Sequence, residues 1–207
     1  AMEAIGREDI DAISPYQDQI EAIILPKTQS FDFLATLAPM IDFSNKLVPL
    51  IETPRAIDTV TQIAAFKDVV GLFFGAADSS ASLGCKLAWE PLLYARQKVV
   101  LAAAMYNLFT IDAPFFYMDD KEGLKKEAEA VKNLGFTGKA AIHPDQIDFI
   151  NESFAPTSEE IAEGKKVLEE YQKSGGGAVK IDGQMVDEPI AEAMRLKISL
   201  GEEEIED

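Results

Sequence analysis

Short apolar runs alternate with amphipathic stretches along most of the chain. Uninterrupted apolar runs joined by helical segments are typical of a parallel sheet that is covered by helices on both faces. No Gly-rich GxGxxG turn follows any of these runs, so we favour a TIM-type (β/α)8 barrel over a doubly wound sheet. The predicted strands are residues 22–25, 47–51, 69–74, 108–111 and 139–142. The predicted helices are residues 31–38, 56–65, 89–104 and 121–134.

The C-terminal part has a different pattern. Residues 156–171 predict one helix, residues 174–177 a hinge, and residues 178–186 a hairpin closed at Asp182-Gly183. A short helix is expected to begin near Asp187, and the acidic last residues GEEEIED are expected to be a disordered tail. We therefore predict a partial barrel over residues 1–155 and a helix-hairpin-helix extension over residues 156–207. So small a hairpin and helix must pack on their own barrel or on a neighbouring subunit.

Composition excludes some classes of partner. The chain has 207 residues, of which 47% are apolar, and its formal net charge is -17. Such a charge disfavours nucleic acid and anionic membranes as general partners. The single cysteine, Cys85, cannot form an internal disulfide and is typical of a reducing compartment. With no apolar stretch of membrane-spanning length, we expect a soluble, cytoplasmic protein.

Two carboxylates stand where apolar runs end. Glu52 follows LVPLI and Asp78 follows GLFFGAA. Because the C-terminal ends of parallel strands share one edge, these acids can hold a hard cation such as Mg²⁺. Two other interpretations remain open. Glu52 could pair with Lys27 or Arg55, and Asp78 could be the N-cap of the next helix.

Five motifs, in order, resemble the citrate lyase beta subunit and its relatives in the HpcH/HpaI aldolase superfamily. They are ILPKT, LIETPRA, FFGAAD, GFTGKAAIHPDQI and GQMVDEPI, and the resemblance runs over residues 6–198. It implies a βα barrel, a homotrimer or a multiple of one, and Mg²⁺-dependent cleavage or formation of a carbon–carbon bond beside a thioester. The implied substrates are citryl, malyl or citramalyl thioesters of CoA or acyl carrier protein.

The resemblance also implies that part of the family's barrel is absent from this sequence. ILPKT corresponds to the fourth strand of the family's barrel, so the first three strands would be absent from these 207 residues. An arginine that holds the substrate carboxylate would be absent with them. The expected fold is therefore a barrel without its first three strands, followed by the C-terminal extension.

Site residues follow from the resemblance. Glu52 and Asp78 would hold Mg²⁺, which stabilises the enolate formed when the bond breaks. Asp187 would be the catalytic acid or base, contributed by the mobile C-terminal segment of an adjacent subunit. Its alternative role is the N-cap of the helix that contains Pro189.

Further residues are candidates for substrate binding. Gly75, Ala76 and Ala77 would keep the approach to Asp78 open. Lys27 could meet a substrate or nucleotide phosphate, or form a salt bridge across the strand ends. His143 could donate a hydrogen bond near the thioester arm, or serve a structural role.

Two other groups have plainer interpretations. Asp112, Asp119 and Asp120 are predicted to be loop acids. Trp89 and the pair Phe73-Phe74 are predicted to belong to the core.

Three functions are compatible with the sequence. The first is a Mg²⁺-dependent carbon–carbon lyase that acts on an acyl thioester. The second is a thioester hydrolase on the same site, in which water intercepts the acyl group. The third is a shortened, non-catalytic homologue that serves as an assembly subunit.

Overall fold

The computed structural model describes residues 4–40, 46–175 and 177–206. The chain divides into two compact units, Ala1–Ile150 and Asn151–Asp207. The first unit contains a five-stranded sheet with the strand order β1-β2-β3-β4-β5, and all neighbouring strands in it are parallel. The predicted α/β class with a parallel sheet is confirmed. The described residues do not form a closed barrel.

The strands lie close to their predicted positions. The strand predicted over residues 22–25 begins one residue later, and the one predicted over 69–74 begins two residues later. The strand predicted over 108–111 is shifted by one residue, and the one predicted over 139–142 is a shorter strand at residues 138–139. The strands of the sheet are β1 (Ile23–Leu25), β2 (Leu47–Ile51), β3 (Gly71–Phe74), β4 (Phe109–Asp112) and β5 (Gly138–Lys139).

Helices follow each of these strands. Those of the first unit are α1 (Ala4–Ile13), α2 (Phe31–Leu37), α3 (Pro54–Asp58), α4 (Val60–Ala64), α5 (Ala76–Leu83), α6 (Trp89–Met105) and α7 (Lys121–Leu134). α8 (Ile147–Phe154) follows a 3-10 turn at Pro144–Gln146, and further 3-10 turns lie at Ser14–Gln19 and Ala38–Met40. The helix predicted over residues 56–65 is instead two short helices, which meet at Thr59.

Local sequence sets several of the helix ends. Ser30 and Thr53 accept hydrogen bonds from backbone N–H groups in the first turns of α2 and α3. Asp120 does the same for α7, which ends at Gly135 with a φ of 106°. Glycine favours this left-handed conformation because it has no Cβ. Side-chain caps and glycine stops therefore explain where these helices begin and end.

The core lies between the sheet and its helices. Ile51, Leu72 and Phe74 are fully buried, and so are Ile63 of α4 and Val99 of α6. Burying an aliphatic or aromatic side chain of this kind contributes about 1.5–3 kcal/mol. The buried strand residues lie at the end of β2 and along β3, so packing holds the C-terminal ends of both strands in place.

The second unit has its own small core. Helix α9 (Ser158–Lys173) packs on α10 (Glu188–Glu206), and the antiparallel hairpin of β6 (Val179–Ile181) and β7 (Gln184–Val186) adds to the same cluster. Its buried members are Val167, Tyr171, Ile181, Val186 and Ala191. The hairpin turns at Asp182 and Gly183, with φ angles of 46° and 89°, as an Asp-Gly pair favours.

Two predictions for this unit were wrong. The last helix is not short, and the acidic end is not a separate disordered tail, because α10 runs for 19 residues to Glu206. Glutamate is a good helix former, so a Glu-rich end can extend a helix that tertiary packing has already nucleated. Gly176, in the predicted hinge, lies outside the described residues.

Candidate metal and substrate site

Three charged side chains meet beyond the ends of three neighbouring strands. Lys27 follows β1, Glu52 follows β2, and Asp78 lies in the first turn of the helix after β3. The Lys27 Nζ donates to Asp78 Oδ1 at 2.7 Å and lies 3.7 Å from Glu52 Oε1. The parallel register brings these residues together, because it places the C-terminal ends of all three strands at one edge.

Lys27 contacts Glu52 a second time through its backbone. The Lys27 N–H donates to Glu52 Oε1 at 2.7 Å. Its φ of 56° is in the left-handed region, which is uncommon for a residue other than glycine. The hydrogen bond to Asp78 and the charge of Glu52 raise the pKa of the Lys27 ammonium. Lys27 was predicted either to meet a phosphate or to form a salt bridge, and the structure shows the salt bridge.

Gly75 lies against Glu52. Its N–H donates to the Ile51 carbonyl, and a Cβ at this position would come within 2.6 Å of the Glu52 Cβ. Ordinary side chains do not approach so closely, so the site requires glycine here. Ala76 is buried and Ala77 is half-buried at the start of α5. Glycine at position 75 therefore leaves room for the Glu52 side chain.

Asp78 is not the N-cap of α5, so that interpretation was wrong. The N-cap is Gly75, and α5 begins at Ala76. The Asp78 side chain is 52% exposed, whereas that of Glu52 is 4% exposed. One carboxylate is therefore buried at the strand end and the other opens to solvent, with a single cation between them.

These residues fit a magnesium ion. Two carboxylates converge on one positive charge, and Mg²⁺ is commonly held by one or two carboxylates while waters and ligand oxygens complete its octahedron. Within the part of the chain that the structure describes, no group of three or more His, Cys, Asp or Glu side chains is arranged to hold a metal. Glu52 and Asp78 would therefore supply the only carboxylates of such a site among the described residues.

A second charged cluster lies at the end of β4. Asp112 is its last residue and is completely buried, so the prediction of a loop acid was wrong. Its carboxylate accepts from Arg96 Nε at 2.8 Å and from Lys139 Nζ at 3.0 Å. Lys139 also donates to Glu127 and to the Ala113 carbonyl. Two cations and two acids therefore balance in a largely buried network.

Arg96 and Lys139 were missed as site residues by sequence reasoning. The Arg96 guanidinium lies between the rings of Phe74 and Trp89, 5.1 Å and 4.8 Å from their centroids. A signal was present, since Leu92 and Val99 flank Arg96 at helical spacing on the buried face of α6. An arginine on such a face needs a buried acid, and this requirement points to Asp112.

A small pocket adjoins this network. Its lining is mostly carbon and contains Ala76, which is two residues before Asp78. Arg96 also lines it, and the Arg96 Nη1 atom has no hydrogen-bond partner among the described residues. The remaining lining residues are Leu87, Ala88, Leu92, Pro114, Phe115, Phe116, Tyr117 and Glu127.

Two further predicted site residues, His143 and Asp187, each accept a backbone hydrogen bond at the start of a helical segment. His143 precedes the 3-10 turn after β5, and its Nδ1 accepts from the Asp145 N–H at 3.2 Å, so it caps that turn. Asp187 belongs to the second unit, where its Oδ1 accepts from the Ile190 N–H at 3.4 Å just before α10. Both side chains therefore have the structural, capping role that was one of their two interpretations. Their proposed chemical roles stay predictions.

Residues 4–144 match the family HpcH/HpaI aldolase/citrate lyase. This match covers more than half of the chain, which therefore belongs to that family. The resemblance found in the five motifs is confirmed. In the part of the chain that the structure describes, no helix is both long and apolar enough to cross a membrane.

Curated relatives are lyases by name. The chain is 30% identical to the citrate lyase subunit beta of Haemophilus influenzae, an alignment that covers 90% of this chain and 70% of that protein. It is 29% identical to the human mitochondrial citramalyl-CoA lyase, covering 95% of this chain and 64% of that enzyme. The chain thus spans about two thirds of the length of these relatives.

Solved structures extend the comparison. RipC from Yersinia pestis is 41% identical with a TM-score of 0.72, over 77% of this chain and 75% of that one. CitE from Mycobacterium tuberculosis, crystallised with magnesium, acetoacetate and coenzyme A, is 29% identical with a TM-score of 0.84. That alignment covers 98% of this chain and 75% of CitE. The magnesium in such crystals agrees with the cofactor predicted for the family.

Proposed function

We propose that the protein is a Mg²⁺-dependent lyase that breaks a carbon–carbon bond beside a thioester of CoA or acyl carrier protein. The observation that carries this proposal is the convergence of Glu52 and Asp78 on one cation at the C-terminal edge of the sheet. Relatives named citrate lyase subunit beta and citramalyl-CoA lyase support it. The proposed substrates are citryl, malyl or citramalyl thioesters.

The reaction needs a proton acceptor and an anion stabiliser. When the bond breaks, the substrate hydroxyl loses its proton and becomes a carbonyl, while the bonding electron pair passes to the carbon beside the thioester. When bound, Mg²⁺ supplies positive charge for the oxygen on which negative charge develops. Glu52 and Asp78 hold that charge in place. Asp187 takes the hydroxyl proton, and its acid form can protonate the carbon.

The substrate would lie along the start of α5. Gly75, Ala76 and Ala77 present no large side chain there, and Ala76 also lines the apolar pocket beside Arg96. We propose that this small-residue segment receives the reacting part of the acyl group. His143 is proposed to lie near the thioester arm, since it follows β5 at the same edge of the sheet.

The assembly forms part of the proposal. We propose that the five strands belong to a TIM-type barrel whose other strands lie outside these 207 residues, and that the second unit packs on a neighbouring subunit of a trimer. The intact mass of the natural protein tests the first point, since 207 residues correspond to 22.6 kDa. A natural protein of that mass would contradict the barrel.

The experiment for the activity is a product assay. Citryl-CoA, malyl-CoA and citramalyl-CoA are incubated with the natural protein and Mg²⁺, and the thioesters are followed by mass spectrometry. A shorter acyl-CoA identifies a lyase, whereas free CoA with intact acid identifies a hydrolase. No conversion of any thioester would refute an enzymatic role and favour an assembly subunit.

Two variants connect the activity to the proposed carboxylates. Glu52→Gln and Asp78→Asn should each lower kcat/KM by at least about a hundredfold, because each removes a charged metal ligand. Asp58→Asn is the matched control, since Asp58 is 85% exposed and pairs with Lys98 at the surface. Equal activity in Glu52→Gln and the control would refute the site.

A mixing experiment tests the source of Asp187. A mixture of Asp187→Ala and Glu52→Ala subunits, co-refolded, should regain activity if the two residues come from different subunits. Such a mixture contains some sites in which both residues are native. A mixture as inactive as either variant alone would refute the neighbouring-subunit arrangement.

A further inference from the structure

We infer that the Lys27 ammonium competes with the divalent cation for Glu52 and Asp78, so that metal binding requires the Lys27 side chain to leave these carboxylates. The inference rests on the proposed metal site and adds a regulation of that site. Lys27 acts here as an internal counter-ion, which sets the concentration of Mg²⁺ at which the site fills.

The competition follows from the shared oxygen atoms. The Lys27 Nζ lies 2.7 Å from Asp78 Oδ1 and 3.7 Å from Glu52 Oε1. A magnesium ion binds carboxylate oxygens at about 2.0–2.1 Å. An ion bound to the same two oxygens would be a neighbour of the Lys27 ammonium. Two positive charges only a few ångströms apart repel each other strongly. The ammonium and the metal therefore exclude one another between the carboxylates.

The Lys27 side chain is free to leave. It is 64% exposed, and its four-carbon stem can carry the ammonium into water. Asp78, its closer partner, is also half exposed, and such ion pairs contribute little to stability. Displacement by a doubly charged ion is therefore favourable once enough Mg²⁺ is present.

The backbone contact is separate from the charge. The Lys27 N–H donates to Glu52 Oε1 at 2.7 Å, and any residue except proline retains that donor. A Lys27→Met substitution therefore removes the ammonium and keeps both the hydrogen bond and an unbranched side chain. The competition can therefore be tested by a variant that lacks the ammonium but keeps the backbone hydrogen bond that positions Glu52.

Competition predicts two opposite effects of Lys27→Met. Without metal, Glu52 remains buried with no ammonium beside it, so the melting temperature should fall. With Mg²⁺, the affinity should rise, because the ion no longer has to displace a cation. A merely structural lysine would give a different result, since its loss would lower both the melting temperature and the affinity for Mg²⁺.

Isothermal titration of the protein with Mg²⁺, at constant ionic strength, measures the affinity. Lys27→Met is expected to bind Mg²⁺ on the order of tenfold more tightly than the wild type. Lys27→Arg keeps the positive charge and should bind no more tightly than the wild type. The rise in melting temperature on addition of Mg²⁺ should be larger for Lys27→Met than for either.

Lys67→Met is the matched control. Lys67 is an exposed lysine that lies 4.0 Å from Asp68 in the segment before β3, so it stands at the opposite edge of the sheet from Glu52. Its loss changes the net charge of the protein by the same amount. The affinity of this variant for Mg²⁺ should equal that of the wild type.

The outcomes separate this inference from the proposed function. An unchanged or weaker affinity in Lys27→Met, with binding still lost in Glu52→Gln, would overturn the competition and leave the metal site standing. Binding that Glu52→Gln does not alter would refute the site itself. If Lys27→Met does not fold, Lys27→Gln provides the same test, because it also lacks the charge and keeps the backbone N–H.

Discussion

The Arg96 guanidinium and the Asp112 carboxylate form a buried ion pair, with Nε donating to Oδ1 at 2.8 Å and 3% or less of either side chain exposed. Lys139 joins the same carboxylate, so Asp112 balances two cations at the end of β4. Removal of this acid would leave both cations without their shared partner.

Asp112→Asn should therefore destabilise the protein severely. Loss of one partner of a buried pair costs about 3–5 kcal/mol, and here Arg96 would stay buried without its carboxylate while Lys139 kept Glu127. Asp58→Asn, which breaks the surface pair with Lys98, should cost at most about 1 kcal/mol. Urea denaturation of the two variants measures the difference, and equal midpoints would contradict this account of the network.

Gly75→Ala should weaken magnesium binding. The new Cβ would lie 2.6 Å from the Glu52 Cβ, so the carboxylate or the start of α5 must shift. Gly138→Ala is the control, since nothing lies within 4 Å of a Cβ at that position. Titration with Mg²⁺ should show an affinity at least about tenfold lower for Gly75→Ala only, an effect of about 1.4 kcal/mol.

The second unit should lose stability in acid through Glu188. Hydrogen bonds from Arg195 and Tyr171 lower the pKa of Glu188 below its usual 4.5. Its ionised form therefore stabilises the fold above pH 4.5, and this contribution is lost as the pH falls through the lowered value. The melting temperature of Glu188→Gln should lie below that of the wild type at neutral pH, and the difference should vanish on acidification. A difference that grows in acid would contradict this linkage.

Thr157→Ala should loosen the start of α9. Thr157 and Glu160 form a reciprocal capping box, in which each side chain accepts from the backbone N–H of the other residue. Its loss should cost about 1 kcal/mol. Hydrogen exchange of the amides in the first turn measures the effect, with Ser158→Ala as the control. Equal exchange rates in the two variants would show that the box contributes nothing.

Sequence reasoning located the sheet and most of its helices because their signals are local. Apolar runs and the Asp-Gly turn each act within a few residues, and the structure has them near the predicted positions. The network of Asp112 was missed because its partners are 16 and 27 residues away along the chain. No local pattern records such a pairing.

The candidate site was predictable only in part. The position of Glu52 and Asp78 after apolar runs brings them to one edge of a parallel sheet, and the structure has both there with Lys27 between them. The capping interpretation of Asp78 failed because Gly75, three residues earlier, is already the N-cap and α5 begins at Ala76. Whether an acid is the N-cap or lies inside the first turn depends on backbone dihedral angles, and composition does not specify those.

Lys27, with its left-handed backbone, contributes to the site in two independent ways, one through its backbone amide and one through its charged side chain. Its amide fixes the orientation of Glu52, while its side chain sets the net charge between the two carboxylates. Under the competition that we infer, a substitution at this one position would change the Mg²⁺ concentration at which the site fills while keeping the backbone hydrogen bond to Glu52.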